Sequence, residues 1–123
     1  MPNSSQPDFD WSQAESLLGD DPENVPEDMA AIVLELIESS RERFEELRVQ
    51  DPETNRAGIS SMAHQLRGSL LNFGFIAVGT ALLKLEKQPY ASADYASLVK
   101  EAHAAFVNSI KLLSERYPRL QLS

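Results

Sequence analysis

The sequence has no cysteine. That excludes disulfides and thiolate metal sites, and it is compatible with a cytosolic, reducing compartment. No apolar run approaches the roughly 20 residues that a membrane span needs. The polar, acidic start has no basic-then-apolar signal segment. Lysine and arginine are missing from residues 1–28, which hold eight of the nineteen acids. The net charge of −8 therefore sits at the front, and the rest of the chain is balanced. An acidic front argues against nucleic acid, whose affinity rests on neutralising phosphates. It reads as a solvated leader. There is no strand-type alternation, no internal repeat, no Gly/Ser linker and no glycine-rich phosphate loop between Gly74 and Gly79. The acids show no metal-ligand spacing. What is present is 123 residues, 42% of them hydrophobic and 24% charged. That suits one domain with one core.

The apolar residues recur at helical spacing. Residues 1–8 are expected to be a disordered leader. Phe9, Trp11, Ala14, Leu17 and Leu18 form a short apolar set, with Ser12 or Asp10 to cap a short helix and Gly19 to end it. This segment should lie across the end of a bundle, with Phe9 and Trp11 capping the core. A first long helix is expected from about Glu27 to Val49, with Met29, Ile32, Val33, Leu36, Ile37, Ser40, Phe44 and Leu47 facing inward. A second runs from Pro52 or Glu53 to Phe73, and a third from Phe75 to Gln88. A fourth starts near Ser92 and ends before Pro118, with Leu98, Ala102, Phe106, Ile110 and Leu113 as its stripe and His103 partly buried beside it. The short connections imply antiparallel neighbours. The expected fold is all-α: an antiparallel up-down four-helix bundle with a short N-terminal helix, one domain over residues 9–123.

The second of these long helices carries the chemistry. At roughly 100° per residue, Ile59, Met62, Leu66, Leu70 and Phe73 fall on the side opposite His64. The histidine is thus exposed while its helix packs inward. Ala57, Ser60, Ser61, Arg67, Gly68 and Leu71 share its side. A mid-helix glycine costs roughly 1 kcal/mol against alanine, and close approach of another surface over Gly68 would offset it. A neutral imidazole is a good nucleophile toward phosphorus, and it is commonly neutral near physiological pH. Arg67, one turn on, has the donor geometry to hold phosphoryl oxygens. Lys84 or Lys87 on the next helix are further cations available to the group.

The run His64-Gln65-Leu66-Arg67-Gly68-Ser69, with Gly74 following, resembles the signature of histidine-containing phosphotransfer (HPt) domains. That family has leucine two residues after the histidine, a basic residue three on, glycine four on, serine or alanine five on, and a second glycine ten on. Leu70, Leu71 and Phe75 depart from it, since small residues are usual there. The resemblance implies a phosphorelay intermediate without kinase activity of its own. Its phosphoacceptor would be His64, with Arg67 stabilising the phosphoryl group and Ser61, Gln65, Gly68 and Leu71 in the docking surface. Its partners would be response-regulator receiver domains and a hybrid histidine kinase. No cofactor or metal is expected on this chain, because the Mg²⁺ belongs to the receiver. The expected protein is cytoplasmic and monomeric.

The alternative is an inactive relative that binds receivers without transfer, for which the bulk at Leu71 and Phe75 leaves room. A histidine-kinase dimerisation hairpin would have an acid where Gln65 stands and a proline a few residues on, where Ser69 stands. A hydrolase is disfavoured because no nucleophile or carboxylate lies at helical spacing from His64.

Overall fold

Turn chemistry decides where each helix begins. In the computed structural model, which describes residues 9–87, 89–120 and 122, helix α1 (Trp11–Leu18) starts at Asp10. The Asp10 carboxylate accepts the Gln13 N–H at 3.2 Å, an ordinary N-cap. Gly19, at φ +86°, ends the helix. Helix α2 (Glu27–Arg48) has Glu27 and Asp28 at the positive end of its dipole. Helix α3 (Arg56–Leu71) begins later than the expected Pro52 or Glu53. Asp51 is the reason: its side chain accepts the Glu53 N–H at 2.9 Å and its carbonyl accepts the Asn55 N–H at 2.9 Å. The local turn outcompetes the first helical turn. Helix α4 spans Ile76–Glu86. A short 3₁₀ turn at Ser92–Asp94 leads into α5 (Tyr95–Arg116). The leader at residues 1–8 and the Gln88 end of the third expected long helix lie outside the described residues.

The long helices form a ring. Helix α3 lies along α4, α4 along α5, and α2 closes the ring against α3 and α5. Neighbours run in opposite senses where side chains join them. Ser60, near the start of α3, donates to the carbonyl of Glu86 at the end of α4 at 2.8 Å. Lys84, late in α4, bonds Glu101, early in α5, at 3.0 Å. Tyr95, at the start of α5, donates to the carbonyl of Leu47 at the end of α2, and burial pushes its phenol up to about 12.

An aromatic column fills the core. Phe44 on α2 meets Phe106 on α5 at 5.1 Å, Phe106 meets Phe75 at 6.2 Å, and Phe75 meets Phe9 at 5.0 Å. Phe9 also lies 4.6 Å from Trp11. The N-terminal segment thus covers the end of the bundle as expected. Its Asp10 N–H donates to Gly74 O at 2.7 Å, and Tyr117 donates to Gly19 O at 2.7 Å. Gly74 takes φ +92°, and a side chain there would strike the Asp10 carbonyl.

The expected burial of two residues, Ile32 and His103, is corrected. On α2 the buried line is Val33, Ile37, Ser40, Phe44 and Leu47, and Ile32 is 45% exposed. Alternating steps of four and three residues put Val33 on the inward line and Ile32 one position off it. On α5 the expected stripe holds, with Ala102, Phe106, Ile110 and Leu113 buried, Leu98 half-buried, and Val99 and Ser109 buried beside them. His103 falls outside it and is exposed, not partly buried.

Candidate functional site

On α3, Ile59, Leu66 and Leu70 are buried as the periodicity requires, with Ala63 beside them and Met62 and Phe73 half-buried at the margin. His64 therefore points outward, and its side chain is 65% exposed. Its Nδ1 is not idle. It stands 2.6 Å from Oε1 of Glu86, a carboxylate only 6% exposed at the last position of α4. Arg67 grips the same carboxylate from α3, with Nε at 2.6 Å from Oε2 and Nη2 at 3.2 Å from Oε1. Ser60, His64 and Arg67 are spaced so that all three lie on one helical face, and all three end on Glu86.

The electrostatics follow from that packing. The Arg67 guanidinium beside it, with the His64 contact adding to the effect, holds the Glu86 carboxyl down to about 2 against the opposing cost of burial. The same pairing raises Arg67. An ionised carboxylate only accepts hydrogen bonds, so the proton between the two groups resides on Nδ1 of His64. In the neutral form of such a ring the lone pair is on the other nitrogen, Nε2.

Gly68 sits one turn from the histidine, exposed, and a Cβ added there meets nothing within 4 Å. The other glycines have reasons inside the chain. Gly19 and Gly74 take positive φ, Asn55 occupies the space over Gly58, and Leu71 Cδ2 would stand 2.7 Å from a Cβ on Gly79. Leu71, 37% exposed, thus folds over α4 at Gly79. Phe75 is fully buried in the aromatic column and forms no part of the surface. Ser61 and Gln65 are exposed. Gln65 lines a groove between α2 and α3 with Leu36, Ser39, Arg43 and Ser69. Lys84 is bonded to Glu101 on α5, while Lys87 is exposed just past Glu86.

Sequence reasoning missed Glu86. A carboxylate partner for His64 was sought at helical spacing, whereas it arrives from the next helix, 22 residues on. The signal was there: a helix face bearing serine, histidine and arginine, packed on a neighbour, requires a polar partner.

The model of the Hpt domain family matches residues 31–115, well over half of the chain. The chain belongs to the Hpt domain family. A comparison with curated proteins gives no match. Hpt domains are phosphocarrier modules rather than kinases and have a histidine phosphotransfer role in two-component phosphorelays, working with response-regulator receivers and kinase components. The matched residues of this Hpt domain include both of its histidines, His64 and His103. Among the described residues no group of three or more His, Cys, Asp or Glu is placed to hold a metal ion. No helix among them is long and apolar enough to cross a membrane.

Proposed function

We propose that His64 is the phosphoacceptor of this Hpt domain, taking a phosphoryl group from a receiver aspartate and passing it to the aspartate of another receiver. The observation that carries this reading is the buried Glu86 carboxylate on Nδ1 of an otherwise exposed ring. Nε2 attacks the phosphorus of the acyl phosphate. The Nε2–P bond forms, the P–O bond to the aspartate breaks, and its electron pair leaves on the aspartate carboxylate. The ring keeps its Nδ1 proton, so the positive charge that develops on it forms 2.6 Å from Glu86. That charge is stabilised by the buried carboxylate beside it, and a charged ring is also the better leaving group for onward transfer. Mg²⁺ belongs to the receiver, and no step requires a metal on this chain.

Gly68 gives the receiver clearance beside the ring, with Ser61, Gln65 and Leu71 around it as docking surface. Arg67 brings positive charge to the site, spent on Glu86 in the resting protein. The partners are receivers and a hybrid histidine kinase, in the cytoplasm, with the bundle acting as a monomer. Against the inactive-module alternative stand the interior position of Phe75 and the packing of Leu71, 37% exposed, over Gly79.

The test is to incubate the chain with a panel of phosphorylated receiver domains beside His64→Gln. Acid-labile, alkali-stable label on the wild type alone supports the reading. Receiver binding without label would establish the inactive module instead.

A further inference from the structure

We infer that Arg67 is a positioning residue acting through Glu86, and not a group that holds the phosphoryl oxygens. The inference rests on the reading of His64 as phosphoacceptor. Two observations carry it. The guanidinium is committed, its Nε and one terminal nitrogen forming a fork on the Glu86 carboxylate at 2.6 and 3.2 Å. Its side chain is also 22% exposed against 65% for His64, so it lies below the ring and not out beside it.

Chemistry gives that placement a purpose. A buried carboxylate without a counter-charge draws a proton or holds its neighbour as a cation. With His64 as that neighbour, the ring would be an imidazolium, oriented but without a lone pair. Arg67 balances Glu86 beforehand. The carboxylate then orients Nδ1–H with less pull toward the imidazolium, which favours the nucleophilic form of the ring. Ser60 fixes the backbone of the same residue through its bond to the Glu86 carbonyl at 2.8 Å. The surrounding charges leave this task to Arg67. On α4, Lys84 is bonded to Glu101 of α5 and Lys87 lies at the exposed end of the helix. On α2, which flanks α3 on its other side, Arg43 holds Glu46 at 2.9 Å.

The experiment is a double-mutant cycle on the full chain. Wild type, Arg67→Gln, Glu86→Gln and the double variant receive phosphoryl from one phosphorylated receiver between about pH 6 and pH 9. The ring ¹⁵N signals of His64 are followed over the same range. Arg67→Gln should lose roughly tenfold near pH 7 and recover toward the alkaline end, with its ring doubly protonated to higher pH than in wild type. The double variant should be no slower than Glu86→Gln, because the charge that Arg67 balances is gone. Arg67→Lys keeps the charge but not the fork, and should restore most of the rate. The inference is overturned if Arg67→Gln loses the same factor at every pH, multiplies in full with Glu86→Gln, and leaves the His64 signals unmoved. Those results would put Arg67 on the phosphoryl group. Label that persists in a parallel His64→Gln sample is a different failure, of the phosphoacceptor reading itself. The ring signals would still decide the coupling of Arg67 to His64.

Discussion

The protein exposes two histidines on two different seams, and only His64 has its ring hydrogen-bonded to a buried carboxylate among the described residues. His64 stands on the α3–α4 seam with Nδ1 on a buried carboxylate, a paired arginine behind it and open space over Gly68. His103 stands on the α2–α5 seam, edge-on to Phe44 at 5.4 Å. It borders a cleft of about 310 Å³ lined by Arg41, Arg48, Lys100 and the apolar faces of Phe44 and Val99. Cations surround it, and Glu45 in the same cleft is already held by Arg48. Exposure is common to both rings. The difference is a buried anion that fixes one ring's tautomer, and a family match spanning both histidines does not choose between them.

Four measurements break or sharpen this contrast, and the largest effect comes first. His64→Gln should abolish phosphotransfer while leaving the helical signal unchanged, because the side chain is 65% exposed. His103→Gln should transfer like wild type; loss of transfer there would reverse the assignment. Next is acid stability. Glu86 is held at about 2 in the folded chain against an ordinary 4.5. Its contribution is therefore complete above about pH 4.5 and is lost as pH falls toward 2, at most roughly 3 kcal/mol. Denaturant titrations over that range should show the loss in wild type and not in Glu86→Gln.

Third, Glu86→Ala removes the anion and the acceptor together, and should slow transfer about a hundredfold. Glu86→Gln keeps an acceptor and should lose about tenfold. Equal rates in all three would mean that the carboxylate has no part in transfer. Last, Gly68→Gln should stabilise α3 by up to about 1 kcal/mol, since an added Cβ meets nothing within 4 Å. It should weaken receiver docking through the same added bulk. Gly79→Ala is the contrast: Leu71 Cδ2 would stand 2.7 Å from the added Cβ, so displacing Leu71 offsets the gain in helix propensity and the net stabilisation should be smaller than at Gly68. Docking unaffected in Gly68→Gln would remove the clearance argument.

Local chemistry makes much of this legible in the order of the residues alone. Asp10 and Gly19 bound α1 as their cap types require, and the stripe through Ile59, Leu66 and Leu70 places His64 outward. Where two local signals compete, the sequence does not decide. Asp51 closes a turn that delays α3 to Arg56, and a one-residue change of phase turns Ile32 out of the core. What joins helices is less legible still. Glu86 and Lys84 are two residues apart on α4, yet one serves α3 and the other α5. That division depends on how α4 is rotated between its neighbours, which no periodicity within α4 states. The central charge arrangement of the site is therefore a product of packing and not of the motif.

The most direct measurement is the chemical position of the phosphoryl group. Chain labelled with ¹⁵N is phosphorylated by a receiver, and the ³¹P–¹⁵N coupling identifies the bonded nitrogen. A Glu86 carboxylate that holds the proton on Nδ1 requires phosphorus on Nε2 of His64. Coupling to Nδ1 of His64, or to either nitrogen of His103, would contradict the account.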